Sequence, residues 1–135
     1  MSSISLICET PEVDEYLALR DAAGLSSKTL QSAHKGLPGT LFAVCVREGD
    51  RLIGMGRVVG DGGCSFQIVD IAVHPDHQRK GWGTQIMEAI MGYLRDAAPS
   101  SSTVTLMADS GAPALYRKFG FKLTAPESVG MVLRM

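Results

Sequence analysis

At 135 residues the chain has the length of one domain, enough to bury a core without disulfides or a structural metal. Apolar residues make up 45% and charged residues 20%, and the formal net charge is −1, so there is no broad attraction to nucleic acid or an anionic membrane and any anion site must be local. Cys8, Cys45 and Cys64 lie far apart with no C-x-x-C pair, which argues against a zinc ribbon or redox dithiol and for reduced thiols in or near a core.

In chain order, the first residues, MSSISLICETPEVDE, show no basic stretch followed by a long apolar run, and no later window approaches a membrane span. The expectation is a soluble, cytoplasmic protein with a single domain over residues 1–135. Ile4 to Cys8 suits a first strand. Thr10-Pro11 reads as a helix start, because Thr can cap and Pro fits the first helical position. Val13, Tyr16, Leu17 and Arg20 then fall at helical spacing, with Gly24 as the stop. Ser26 or Ser27 can cap a second short helix carrying Leu30, Ala33 and Leu37. Leu41 to Val46 and Arg51 to Val59 read as a hairpin around Glu48-Gly49-Asp50. Gly54 and Gly56 inside the return strand predict a bulge or a close approach by another element. Ser65 to Val73 is a strand buried on both faces. From Arg79 to Ala98 the pattern is helical, with Trp82, Ile86, Met87, Ile90 and Leu94 on one face. Thr103 to Met107 is β-like, APALYRKFG is a short helix ended by Gly120, and Phe121 to Leu123 and Val129 to Leu133 read as two closing strands. This order gives a mixed α/β domain.

Between the buried strand and the long helix stands Gln78-Arg79-Lys80-Gly81-Trp82-Gly83-Thr84. The first turn of a helix leaves amide N–H groups without partners and carries partial positive charge, so an anion sits well there. Glycine lets the backbone come close to a phosphate, and Arg79 and Lys80 add charge. The segment reads as a pyrophosphate cradle, although the glycines could also serve helix–strand packing alone. No Walker loop or dinucleotide fingerprint is present.

The spacing Q-x-x-G-x-G, set after AVHP and before a helix, resembles motif A of the GNAT superfamily of acetyl-CoA-dependent N-acetyltransferases. ALYRKFGF, Ala114 to Phe121, resembles the C-terminal signature of the same family, in the same order along the chain. The resemblance is strong from Val69 to Phe121 and weak before Leu41. It implies a mixed, mostly antiparallel central sheet flanked by helices. It also implies acetyl-CoA as acyl donor, with Ile71, Ala72 and Val73 flanking the pantetheine arm and Gln78, Arg79, Lys80, Gly81, Trp82, Gly83 and Thr84 holding the phosphates. Asp109 stands where many relatives carry a coenzyme-contacting Asn. The acceptor would be a small-molecule amine or a protein amino group, and a homodimer is compatible with the family.

Direct transfer needs an acid for the departing sulfur and an acceptor for the amine proton. Tyr116 is the candidate acid, by its motif position and because a phenol near pKa 10 can protonate a thiolate. Many relatives place a glutamate base where this chain has Gln67. Asp70, on the same strand, is the candidate amine-binding or proton-accepting carboxylate; its alternative is a buried partner for Arg57 or another cation. Asp61 and Asp109 are weaker candidates, both in turn-like settings. His74 and His77 have H-x-x-H spacing, but Pro75 makes this a loop with no third ligand near, so no metal is expected. Arg117 and Lys118 read as a solvated face or as phosphate contacts. Two functions fit: an N-acetyltransferase, favoured by Tyr116, and a non-catalytic acyl-CoA-binding or sensing module, favoured by Gln67.

Overall fold

A computed structural model describes residues 3–109 and 112–135. Five strands, β1 (Ile4–Ile7), β2 (Phe42–Glu48), β3 (Arg51–Gly60), β4 (Ser65–Val73) and β5 (Thr103–Leu106), form one sheet in sequence order. β1 to β4 pair antiparallel, and β5 joins β4 parallel. The sheet is therefore mixed and mostly antiparallel, with helices on both faces.

One face is covered by α3 (Trp82–Ala97). Its Ile86, Met87, Ile90 and Leu94 recur at helical spacing and pack on Val44, Val46, Val58, Phe66 and Ile68. The other face is covered by α1 (Val13–Ala22) and α2 (Leu30–Gly36), where Tyr16, Leu19, Ala33 and the following Leu37 meet Cys45, Leu52, Met55 and Ala72. Along β2 the alternation is simple: Val44 and Val46 face α3 and Cys45 faces α1. At Gly56 of β3 the side chains of α3 lie against the strand backbone. A Cβ there would lie 2.6 Å from Ile71 Cδ1 and 2.7 Å from Ile86 Cγ2. No side chain fits, which explains a glycine inside a strand.

The structure departs from the sequence pattern in three places. The cap of α1 is Glu12 rather than Thr10, with Glu12 and Glu15 forming a reciprocal capping box, and α2 is capped by Thr29, whose Oγ1 accepts from Ser32 N at 3.0 Å, rather than by Ser26 or Ser27. Cys45 is buried but Cys8 and Cys64 are exposed. The two closing strands are not formed. After α4 (Pro113–Arg117) the chain turns at Thr124–Ser128 and runs on without joining the sheet, which ends at β5. A strand persists only where its backbone groups find a ladder, and this segment meets none within one chain.

Candidate functional site

The site begins where β4 and β5 part. Their pairing runs from Ser65↔Thr103 to Ile68↔Leu106 and stops. β4 continues to Val73, paired only with β3, so beyond Ile68 its other edge presents N–H and C=O groups that no strand uses. At the same point β4 bulges: Asp70 and Ile71 together oppose Gly56, and Asp70 takes φ 60. The extra residue turns Asp70 away from the apolar α3 face and towards α1. A cavity of about 600 Å³ opens here, lined among others by Arg20, Gln67, Asp70, Met107, Asp109 and Tyr116.

Asp70 is the anionic centre of a buried cluster. Its Oδ2 accepts from Tyr16 Oη at 2.8 Å and from Arg57 Nε at 2.8 Å, and its Oδ1 accepts from Arg20 Nη1. Arg20 is also held by Ser26 O, from Nε at 3.0 Å and Nη2 at 2.8 Å, and Arg57 donates to Thr40 Oγ1 at 2.7 Å. Both guanidiniums lie over the Tyr16 ring, 5.6 and 5.4 Å from its centroid. Arg20 and Arg57 are 4% and 8% exposed, so water cannot replace a lost partner. Burial, then the Asp70 charge, raises the Tyr16 pKa and keeps its hydroxyl a donor. The sequence pairing of Asp70 with Arg57 or another cation is present, with both arginines. Arg20 and Tyr16 were readable only as members of an amphipathic stripe. The available signal was an arginine on an apolar face one turn after a tyrosine, which requires a buried acceptor somewhere.

At the end of β4, Ile71 and Val73 are half-buried and Ala72 is buried. Gln78 Nε2 donates to Val73 O at 2.9 Å and so fastens the loop to the strand. Arg79 takes φ 64, and Gly81, the N-cap of α3, takes φ 88. That conformation suits glycine, and it leaves the first turn of α3 with no side-chain cap and no acidic residue. The amides of a 16-residue helix are thus open to an anion, with exposed Arg79 and Lys80 beside them and Trp82, Gly83 and Thr84 half-buried. A Cβ on Gly83 would touch only Leu115 Cδ2, at an ordinary 3.6 Å.

Tyr116 of α4 borders the cavity opposite this edge, half-buried, with its ring edge-on to Phe121 at 6.4 Å. Burial, and secondarily Asp109, raises its pKa, so the phenol is protonated at neutral pH. Gln67 and Asp109 are exposed on the cavity wall. Asp61 is elsewhere: its Oδ1 accepts from the N–H groups of Ser65, Gly63 and Cys64, which lowers its pKa and makes it a turn former. Arg117 and Lys118 are exposed. His74 Nδ1 accepts from Asp76 N at 3.1 Å, and buried His77 lies 3.6 Å from Glu48 Oε1. Among the described residues no group of three or more His, Cys, Asp or Glu side chains could hold a metal ion, and no helix is long and apolar enough to cross a membrane.

Residues 38–123 match the family model described as the acetyltransferase (GNAT) domain. A crystal structure from methicillin-resistant Staphylococcus aureus, described as a protein of unknown function and "probable acetyltransferase", is 48% identical, with a TM-score of 0.95 covering 98% of this chain and all of that one. An "uncharacterized N-acetyltransferase ycf52-like" of Prochlorococcus marinus is 31% identical over 118 residues, 84% of this chain and 64% of its own length. The "uncharacterized N-acetyltransferase ycf52" of Porphyra purpurea is 39% identical over 71 residues, 53% of this chain and 40% of its own length. The chain thus spans less than two thirds of each of these two curated relatives.

Proposed function

The chain belongs to the GNAT acetyltransferase family, and we propose that it moves an acetyl group from acetyl-CoA to a primary amine, on a small molecule or a protein, by direct attack in a ternary complex. The observation that carries this is the meeting, around one cavity, of an unpaired β4 edge and a protonated phenol, with the uncapped N-terminus of α3 following that same strand in the chain.

These residues fit a coenzyme with a diphosphate and an amide-bearing arm. The open amides of Gly81 to Thr84, with Arg79 and Lys80, suit the phosphates, and Gln78 fixes the loop that presents them. The free backbone edge of Ile71, Ala72 and Val73 suits the amides of the arm. When bound, acetyl-CoA supplies a thioester carbonyl that an amine can attack. A backbone N–H near Val73 polarises that carbonyl. As the N–C bond forms and the C–S bond breaks, Tyr116 gives its hydroxyl proton to the departing sulfur and the amine proton passes to water in the cavity. Asp109 borders the same wall and completes the coenzyme side. With three donors on its carboxylate, Asp70 is suited to positioning: it fixes Arg20, Arg57 and Tyr16 as the wall beside the acceptor.

Gln67 on the cavity wall offers no base and favours the second assignment, an acyl-CoA-binding module without turnover. Calorimetric titration with acetyl-CoA, with NAD and ATP as controls, followed by an amine panel, separates the two. Selective binding with thiol release on an amine supports the transferase. Selective binding without release on any amine supports the module. No binding of acetyl-CoA overturns both.

A further inference from the structure

The charges around Asp70 do not balance. Arg20 and Arg57 are 4% and 8% exposed, and a guanidinium keeps its proton inside a protein. Among the described residues Asp70 is the single carboxylate that pairs with either of them. The Tyr16 ring beneath both cations attracts them but carries no charge. One buried positive charge is left without a counterion, a costly arrangement that a bound anion relieves.

The two arginines differ in what they leave open. Arg20 uses its whole fork: Nε and Nη2 reach Ser26 O, Nη2 also reaches Ser26 Oγ at 3.1 Å, and Nη1 reaches Asp70. Arg57 donates from Nε to Asp70 and from Nη1 to Thr40 Oγ1, and its Nη2 has no acceptor among the described residues. Arg57 also borders a second cavity, of about 200 Å³, enclosed by β3, α1 and α2. Tyr16, Lys28, Ser32 and Gly36 help to line it, and among the described residues no Asp or Glu does. Ser32 Oγ accepts from Thr29 Oγ1 at 3.0 Å and keeps its own proton to donate. Exposed Lys28 forms no ion pair among the described residues, and it borders both this cavity and the large one.

We propose that the small cavity is an anion subsite for the acceptor, and that the acceptor is a primary amine carrying a carboxylate. The proposal rests on the transferase reading above. The carboxylate meets Arg57 Nη2 and the Ser32 hydroxyl. Lys28, common to both cavities, marks where the acceptor passes from one to the other, so that its amine lies in the large cavity with Tyr116. A carboxylate brings one negative charge, the amount the buried cluster lacks, and its paired oxygens suit a guanidinium.

The test is a panel of the common α-amino acids, β-alanine and γ-aminobutyrate, each beside its own carboxamide. Thiol release from acetyl-CoA reads turnover, and calorimetry without acetyl-CoA reads binding. At least one acid should exceed its carboxamide about tenfold or more in kcat/KM, with the difference in KM. Lys28→Glu, a change at an exposed position, should lower that preference by roughly fivefold or more. Acids bound selectively with no thiol release would support the subsite and remove the transferase reading. Acid and carboxamide used or bound alike, a preference that a folded Lys28→Glu variant leaves untouched, or no binding and no turnover of any acid would overturn the subsite. So would phosphoethanolamine turned over ahead of every acid, because the anion would then be a phosphate.

Discussion

Two ionic clusters of the molecule are near inversions of each other. At the periphery one guanidinium, Arg47, is held by two carboxylates, with Nε 2.7 Å from Glu9 and Nη1 and Nη2 at 2.8 and 2.7 Å from Glu15. Beside the cavity one carboxylate, Asp70, is held by two guanidiniums and a phenol. The side chains of Glu9 and Glu15 are 42% and 23% exposed, whereas those of Asp70, Arg20 and Arg57 are 10%, 5% and 10% exposed. In the first cluster water can take the place of a lost partner, so little rides on it. In the second a lost partner leaves a bare charge in the protein. Similar chemistry is a surface brace in one place and a fixed wall of the site in the other.

The sharpest way to break this contrast is Asp70→Asn. It strands two buried cations and should cost about 3–5 kcal/mol in urea denaturation, with a raised acceptor KM in the fraction that folds. A loss under about 1 kcal/mol would show that the two clusters are energetically alike. Tyr116→Phe should give the opposite split, lowering kcat roughly 100-fold while the denaturation midpoint and acetyl-CoA affinity hold. Unchanged kcat would remove Tyr116 from the reaction. Gly83→Glu puts a carboxylate where no guanidinium cluster receives it, at the first turn of α3. Calorimetry should then show acetyl-CoA bound about tenfold more weakly in a protein as stable as wild type. Equal affinity would move the phosphates elsewhere. Arg47→Ala should cost about 1 kcal/mol or less and leave steady-state kinetics as they are; a kinetic effect would tie the brace to the site.

The smallest effect is in the pH dependence, where Glu15 of the first cluster and Tyr16 of the second should act at opposite ends. Glu15, ordinarily near 4.5, is lowered, first by its hydrogen bonds from Arg47. Its contribution is present above 4.5 and is lost as pH falls through the lower folded value. Tyr16, ordinarily near 10.0, is raised by burial and by Asp70, so its contribution is intact below 10.0 and is lost as pH rises through the higher folded value. Arg47→Ala should flatten the acid limb of a stability–pH curve and spare the alkaline limb. Equal flattening of both would mean the clusters are coupled.

Much of this was legible because it is written in local pattern. The hairpin, Ser65 to Val73 and the buried stripe of α3 follow from periods of two and 3.6 and emerge within a residue or three of their expected bounds. The cradle we propose for the coenzyme could be read at all because glycines, a basic pair and a helix start are adjacent in sequence. The Asp70 cluster was only half legible, since Tyr16 lies 54 residues away and Arg20 lies 50, and no short-range signal joins them. The closing strands were misread for a related reason. Phe121 to Leu123 and Val129 to Leu133 have strand composition, but a strand also needs a neighbour, and composition does not reveal whether the chain itself supplies one.

The bulge in β4 has a consequence best seen by counting. With Asp70 left out, the strand would run Phe66, Gln67, Ile68, Val69, Ile71, Ala72, Val73. In that run Phe66, Ile68, Ile71 and Val73 fall alternately on the α3 side and Ala72 on the other, as they do in the folded protein. These five apolar residues of the strand are thus already in phase without Asp70. The sheet carries one residue more than its own arithmetic requires, and the surplus residue is the one that anchors the wall of the cavity.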